Sequence, residues 1–153
     1  MNSGAPHWHL QRLEQLAPLD VYDLLALRQA VFVVEQNCVF LDADGVDPSS
    51  WHLLGRNDAG QLVAYLRIVD AGVKYDEPSI GRVITRPEER GQGLGVLLLA
   101  EGIRRARQLW PGRVIRIGAQ HRLERFYRSF GFYQVGEVYI EDNIPHIEML
   151  LAA

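Results

Sequence analysis

Arg90-Gly91-Gln92-Gly93-Leu94-Gly95 is followed at once by an apolar run with helical spacing. A glycine-rich turn that opens a helix makes an anion site. The glycines let the backbone pass close to a ligand. The first helical N–H groups have no partner inside the helix and point out of its end. The helix dipole adds roughly half a positive charge there. The turn therefore predicts a bound phosphate or pyrophosphate.

Three phosphate-binding patterns compete for this stretch. A Walker-type loop closes on Gly-Lys-Ser/Thr, whereas this one closes on Gly93-Leu94-Gly95 with no lysine. The dinucleotide fingerprint needs glycine at its sixth position, which here is Val96. The coenzyme A loop, Arg/Gln-x-x-Gly-x-Gly/Ala, is matched in full by Arg90, Gly93 and Gly95.

Composition sets the frame around that loop. The chain has 153 residues, 48% of them hydrophobic, enough for a single domain over 1–153 with a real core. A net charge of −3 implies no broad basic surface and argues against nucleic acid as a partner. One cysteine, Cys38, excludes an internal disulfide and points to a reducing compartment. No apolar run reaches transmembrane length. Met1-Asn2-Ser3-Gly4-Ala5-Pro6-His7 lacks the charged and apolar tracts of a signal peptide. A cytoplasmic protein without membrane contact is expected.

The spacing of apolar residues predicts the elements. Trp8 to Leu13 reads as a first strand. Asp20 is expected to cap a helix running to about Val33, with Val21, Leu24, Leu25, Leu27, Val31 and Phe32 on its apolar face. Residues 35 to 50 are polar and rich in turn formers. Strands are predicted over Trp51–Arg56 and Leu62–Val69, joined by the hairpin turn Asn57-Asp58-Ala59-Gly60, and then over Ser79–Thr85. A helix from about Leu94 to Leu109 carries Leu99, Ile103, Ala106 and Trp110 on one stripe. Val114–Gly118 is a short strand. A helix over Leu123–Phe130 ends at Gly131, a natural residue just past a helix end. Tyr133–Ile140 and His146–Leu151 close the chain as strands, joined by the turn 141–145. The order predicts a mixed α/β domain with a largely antiparallel sheet flanked by helices. An exposed edge strand would permit a homodimer.

A second element strengthens the coenzyme reading. Gln120-His121-Arg122-Leu123-Glu124-Arg125-Phe126-Tyr127-Arg128-Ser129-Phe130-Gly131-Phe132 is similar to the Asn-x-x-Ala-x-x-Phe-Tyr-x-x-x-Gly-Phe element of the GNAT superfamily of acetyl-CoA-dependent acyltransferases. Tyr127 stands 37 residues after Arg90, with strand, helix and strand elements around them. The runs 28–38 and 141–149 further resemble the ElaA subfamily, so the likeness covers nearly the whole chain. Gln120 replaces the usual Asn, Leu123 a small residue, and Asn143 a frequent Gly.

The resemblance implies the GNAT acyl-CoA N-acyltransferase fold, with acetyl-CoA as cosubstrate and no metal. It gives the acetyl-pantetheine arm to the backbone of Val83, Ile84 and Thr85. The pyrophosphate falls to the amides of Arg90, Gly91, Gln92, Gly93, Leu94 and Gly95, and a pantetheine contact to Gln120. An N–H of Val83 or Ile84 would stabilise the carbonyl oxygen, provided the strand bulges or splays there. Tyr127 would protonate the departing thiolate; without the resemblance it reads as core packing beside Phe126 and Phe130.

Amine attack on a thioester also requires the amine to lose a proton. Glu35, after the first helix, and His146, in the last strand, are the expected bases; each also has a bland reading, as a solvated helix end and a packed turn. His52 and His121 are weaker choices. Glu35, Asp42, Asp44, Asp47, Glu141 and Asp142 form an expected acidic ring that attracts a cationic amine, with plain loop solubility as the alternative. Asp42-Ala43-Asp44-Gly45-Val46-Asp47 fails the calcium-loop pattern, because Asp47 stands where glycine is needed. His7 and His9 do not make a ligand set by themselves. Cys38 reads as structural or incidental rather than as an acetyl relay, and Arg125 and Arg128 as solvated, with contact to the coenzyme's phosphates as the alternative. The expected activity is direct N-acetyl transfer to a small-molecule or peptide amine. The alternatives are a coenzyme A-binding regulatory module without turnover, or an acyltransferase using a longer acyl group.

Overall fold

A strand that is apolar along its whole length must be covered on both faces. Leu62–Val69 is such a strand. In the computed structural model, which describes residues 4–153, all eight of its residues are buried. The expectation of no signal segment falls partly on residues 1–3, outside the described residues.

The elements follow the expected order: β1 (His7–Arg12), α1 (Pro18–Arg28), β2 (Ser50–Arg56), β3 (Leu62–Val69), β4 (Ser79–Thr85), α2 (Leu94–Leu109), β5 (Ile115–Gln120), α3 (Glu124–Arg128), β6 (Tyr133–Glu141) and β7 (Ile144–Leu151). Two antiparallel sheets result, one in the order β1-β2-β3-β4 and one in the order β5-β7-β6. On one face, Leu24, Leu27 and Val31 pack on Leu54, Tyr65 and Ile84. On the other, Leu98, Leu99 and Ile103 pack on Leu53, Leu66 and Ile68. Each such side chain adds roughly 1.5–3 kcal/mol of burial. Helix α2 lies so close to β3 that a Cβ at Gly102 would stand 2.5 Å from Leu66.

The two sheets share one buried cluster and are joined where β4 and β5 begin. Arg116 N–H donates to the Pro78 carbonyl at 3.1 Å, holding the starts of β4 and β5 side by side. Beyond it the strands belong to separate sheets, and a cavity opens between them.

Several boundaries differ from expectation. Helix α1 starts at Pro18 with Ala17 as its cap; Asp20 sits inside the first turn, bonded to Arg56. Proline suits the first helical position because that N–H has no intrahelical partner. The helix does not run evenly to Val33: from Gln29 to Glu35 it widens into a π-helical turn. Strand β5 runs two residues further, to Gln120. Helix α3 is shorter than expected at both ends: residues 121–123 form a 3-10 turn ahead of it, and residues 129–131 form a turn after Arg128. The last hairpin turns on two residues, not five: Asp142 and Asn143 have φ of +50° and +64°, the mirror-image turn that suits the twist of paired strands.

Candidate active site

The β3–β4 ladder pairs Arg67 with Gly81 and Tyr65 with Ile84, so β4 holds one residue more than its partner and bulges at Arg82 and Val83. Arg82 is left-handed there, with φ +52°. An arginine does not adopt that shape unaided. It is held by an ion pair to Asp42 at 2.8 Å and by the Phe32 ring 5.7 Å beneath its guanidinium.

The glycine turn lies at the far end of the same strand. Gly91 and Gly93 have φ of +84° and +78°, and nothing stands within 4 Å of where a Cβ would be. Gly93 caps α2 without any side-chain bond, so the first amides of this 16-residue helix keep no capping partner. Gly95 is already helical; a Cβ there would rest 3.9 Å from the Phe126 ring. That contact joins the turn to α3. Tyr127 on α3 packs edge-on to Phe126 and Phe132 at 5.3 and 5.9 Å. Its hydroxyl has no hydrogen-bond partner among the described residues, and burial pushes its pKa up to about 12. The helix end that sets its position is closed by Gly131, with φ +101°: Gly131 N–H donates to Arg128 and Phe132 N–H to Tyr127, at 2.9 and 3.3 Å.

A network of charge pairs stands behind the cavity, and Asp42, Arg67 and Arg82 carry it into the lining. Arg28, fully buried where α1 widens, donates to Asp42 and Asp47, both at 2.7 Å. Arg67, 1% exposed, donates to Asp44 at 2.6 Å and Asp47 at 2.9 Å. Burial alone would raise the pKa of Asp44 and Asp47. The hydrogen bonds and charges of Arg67 and Arg28 outweigh it and hold both carboxyls below the usual range. This overturns the expected acidic ring: Asp42, Asp44 and Asp47 are spent on Arg28, Arg67 and Arg82. His52 is likewise internal, bonded to the Tyr65 hydroxyl and the Asp47 carbonyl, with burial lowering its pKa.

The two expected bases have different surroundings. Glu35 forms a two-pronged pair with Arg90 at 2.6 and 2.8 Å. The hydrogen bond from Arg90 holds its carboxyl below the usual range, which makes it a weaker base. His146, 8% exposed, has Nδ1 2.7 Å from the Ile144 carbonyl. A carbonyl only accepts, so Nδ1 carries the hydrogen and Nε2 has the open lone pair. Glu141 lies 3.7 Å from that Nε2, and the ring stacks on Tyr139. Gln120 donates to Gln36 at 3.2 Å and accepts from Arg122 at 3.1 Å. The Cys38 thiol points at the Asp142 carbonyl, 3.5 Å away.

One cavity of about 630 Å³ gathers most of these residues: Glu35, Val83, Ile84, Thr85, Arg90, Gly95, Gln120, Tyr127 and His146 all line it. Gly91, Gln92, Gly93 and Leu94 form the turn beyond its lining. Gln36, Phe40, Leu41, Arg67, Lys74 and Arg122 also line it and escape sequence reading. Arg67 left a signal, as a lone charge inside LVAYLRIV that demands a buried partner. Among the described residues, no group of three His, Cys, Asp or Glu is arranged to hold a metal ion, and no helix is long and apolar enough to cross a membrane.

Known proteins share this architecture. A family model described as an acetyltransferase (GNAT) domain matches residues 45–153. A UPF0039 protein of Synechocystis is 44% identical over 144 residues, covering 94% of each chain. Protein ElaA of Escherichia coli is 43% identical over 145 residues, 93% of this chain and 94% of its own. The crystal structure of an acyl-CoA N-acyltransferase from Pseudomonas aeruginosa superposes with a TM-score of 0.91 at 40% identity, over 96% of this chain and 99% of that one. Fold, cavity and similarity agree: the chain belongs to the GNAT acetyltransferase family, within its ElaA group.

Proposed function

We propose that this protein is an N-acetyltransferase that moves an acetyl group from acetyl-CoA directly to the amine of a small molecule or peptide. One observation carries the reading: a bulged strand and a buried tyrosine, whose hydroxyl has no partner among the described residues, line a single cavity that continues to the glycine turn. Acetyl-CoA supplies the activated acyl group as a thioester.

The chain's own residues divide the work. The amides from Arg90 to Gly95 suit a pyrophosphate, since the left-handed glycines leave the approach clear. The backbone of Val83, Ile84 and Thr85 lies along the cavity and suits the amide-bearing arm. At the bulge, the N–H of Val83 or Ile84 is the donor for the carbonyl oxygen as it gains charge. Tyr127 keeps its proton through the working pH range, because burial raises its pKa, and delivers it to the sulfur as the C–S bond breaks. His146 takes the proton from the amine, directly or through a water. Glu35 is tied to Arg90, and Gln120 bonds Gln36 and Arg122 along the cavity lining.

Thermal unfolding with acetyl-CoA, and with ATP and NAD as controls, tests the ligand. A ligand at 100 times its Kd adds about 2.7 kcal/mol of stability. A shift with acetyl-CoA alone, followed by thiol release over a panel of amines, is the expected result. Folded protein with no shift would overturn the reading.

A further inference from the structure

The cavity lining holds two nucleophiles that the proposed transfer does not use, the Cys38 thiol, turned to the Asp142 carbonyl, and the amine of Lys74. Lys74 is the only lysine in the chain; every other Lys or Arg position is an arginine. It lies in the β3–β4 connection, where Gly72 N–H donates to the Tyr75 carbonyl at 2.7 Å and turns the backbone. It lines the same cavity as Val83 and Tyr127. Its neighbours Arg67 and Arg82 are bound to aspartates. Lys74 has no ion-pair partner among the described residues; its Nζ lies 6.0 Å from the centroid of the Tyr75 ring.

These facts separate Lys74 from the rest of the wall. A guanidinium stays protonated and cannot attack a thioester. An ammonium on a flexible stem can lose its proton and move. Partial loss of water around Lys74, followed by the charge of Arg67, lowers its pKa from the usual lysine value, with Glu141 opposing. No carboxylate pins it in the charged form.

We infer that Lys74 is a self-acetylation site. The inference rests on acetyl-CoA being the bound cosubstrate. The Nζ lone pair attacks the thioester carbonyl carbon, and a new N–C bond forms. The C–S bond breaks and its electron pair leaves on sulfur. Nζ gives up one proton and the sulfur gains one, so the products are Nε-acetyl-lysine and free coenzyme A thiol. The mark turns a mobile cation on the cavity wall into a neutral amide.

The test uses the full chain incubated with acetyl-CoA, read by intact mass and peptide mapping, with thermal unfolding on the same samples. The expected result is one acetyl group on Lys74, added at a rate independent of protein concentration. That rate should be roughly tenfold or more above the rate in the urea-unfolded chain, as expected of a positioned amine. Lys74→Arg should fold, keep its stabilisation by acetyl-CoA and take up no acetyl group at that position. Tyr127→Phe should slow the labelling. Stabilisation by acetyl-CoA with Lys74 left unmodified, or labelling no faster than in urea, would overturn the inference and leave the proposed function standing. Absence of stabilisation would overturn the proposed function, and the inference with it.

Discussion

The two walls of the cavity are built by different means. The wall of β4, the glycine turn and α3 works through backbone: a bulge, free amides at a helix start, and a tyrosine set by a glycine-closed helix. The other wall works through side-chain charge, with Arg67, Arg82 and Asp42 in the lining locked to Arg28, Asp44 and Asp47 behind it. Its partners lie up to 40 residues apart in sequence. Even so, the walls are coupled, because Arg82 belongs to both. Its left-handed bulge shapes the backbone wall, and its guanidinium closes the charged one. A site that handles a common coenzyme can be assembled from local backbone shape. The charged wall needs long-range pairs to hold its loop.

The largest effect should come from breaking the charged wall. Arg28→Met leaves Asp42 and Asp47 each short of a buried partner. Removing one member of a buried pair costs about 3–5 kcal/mol, to be read from urea unfolding. A loss near zero would mean that Arg67 and Arg82 hold the loop without it. Acid should attack the same wall. Asp44 and Asp47 have pKa values depressed below the ordinary 3.8 in the folded state. Such groups add stability above that value and lose it as pH falls through the folded values. Stability should therefore drop as pH falls below about 4, and Asp47→Asn should flatten the drop. An unchanged slope in that variant would place the acid sensitivity elsewhere.

On the backbone wall, Tyr127→Phe tests chemistry with little change in packing. A general acid is worth at least roughly a hundredfold in rate. Turnover should fall by that much while stabilisation by acetyl-CoA persists. Full turnover would return Tyr127 to a packing role.

The same contrast explains what could be read in advance. The element order, the antiparallel pairing and the GNAT architecture follow from periodicity and two local motifs, and the structure agrees with them. Gly131 closes the turn after α3 with the left-handed φ its glycine suggested, although the helix itself stops at Arg128. The π-helical turn after Arg28 is different. It widens where a buried guanidinium reaches Asp42 and Asp47, and no local propensity encodes that demand. The aspartates of 42–47 read as a solvated or substrate-attracting loop because their arginines are strands away. Arg67 within β3 was the visible clue, since a buried charge implies a partner. The bulge at Arg82 was conceivable from sequence, but its position rests on the register between β3 and β4.

Within the glycine turn, two substitutions should differ in sign. Gly93→Ala meets no atom but must adopt φ +78°, at a cost of about 1–2 kcal/mol. Gly95→Ala lies within α2, 3.9 Å from Phe126, and should gain roughly 0.5–1 kcal/mol of helix stability. Thermal unfolding of the two variants measures the difference. Equal effects would mean that the turn is not held in the left-handed shape.

The smallest effect in stability is the most informative about roles. Glu35 and Arg90 are 41% and 43% exposed, and exposed pairs contribute about 0–1 kcal/mol. Glu35→Gln should barely move the unfolding midpoint. It also removes a carboxylate that competes with a phosphate for the Arg90 guanidinium. Acetyl-CoA should then bind at least as tightly, and turnover should stay within roughly threefold of the parent, because a general base would account for a hundredfold or more. His146→Gln should carry that larger loss instead. If Glu35→Gln abolishes turnover and His146→Gln does not, the proton leaves the amine by way of Glu35. Arg90 then serves to keep that carboxylate ionised, and the base belongs to the seam between the two walls.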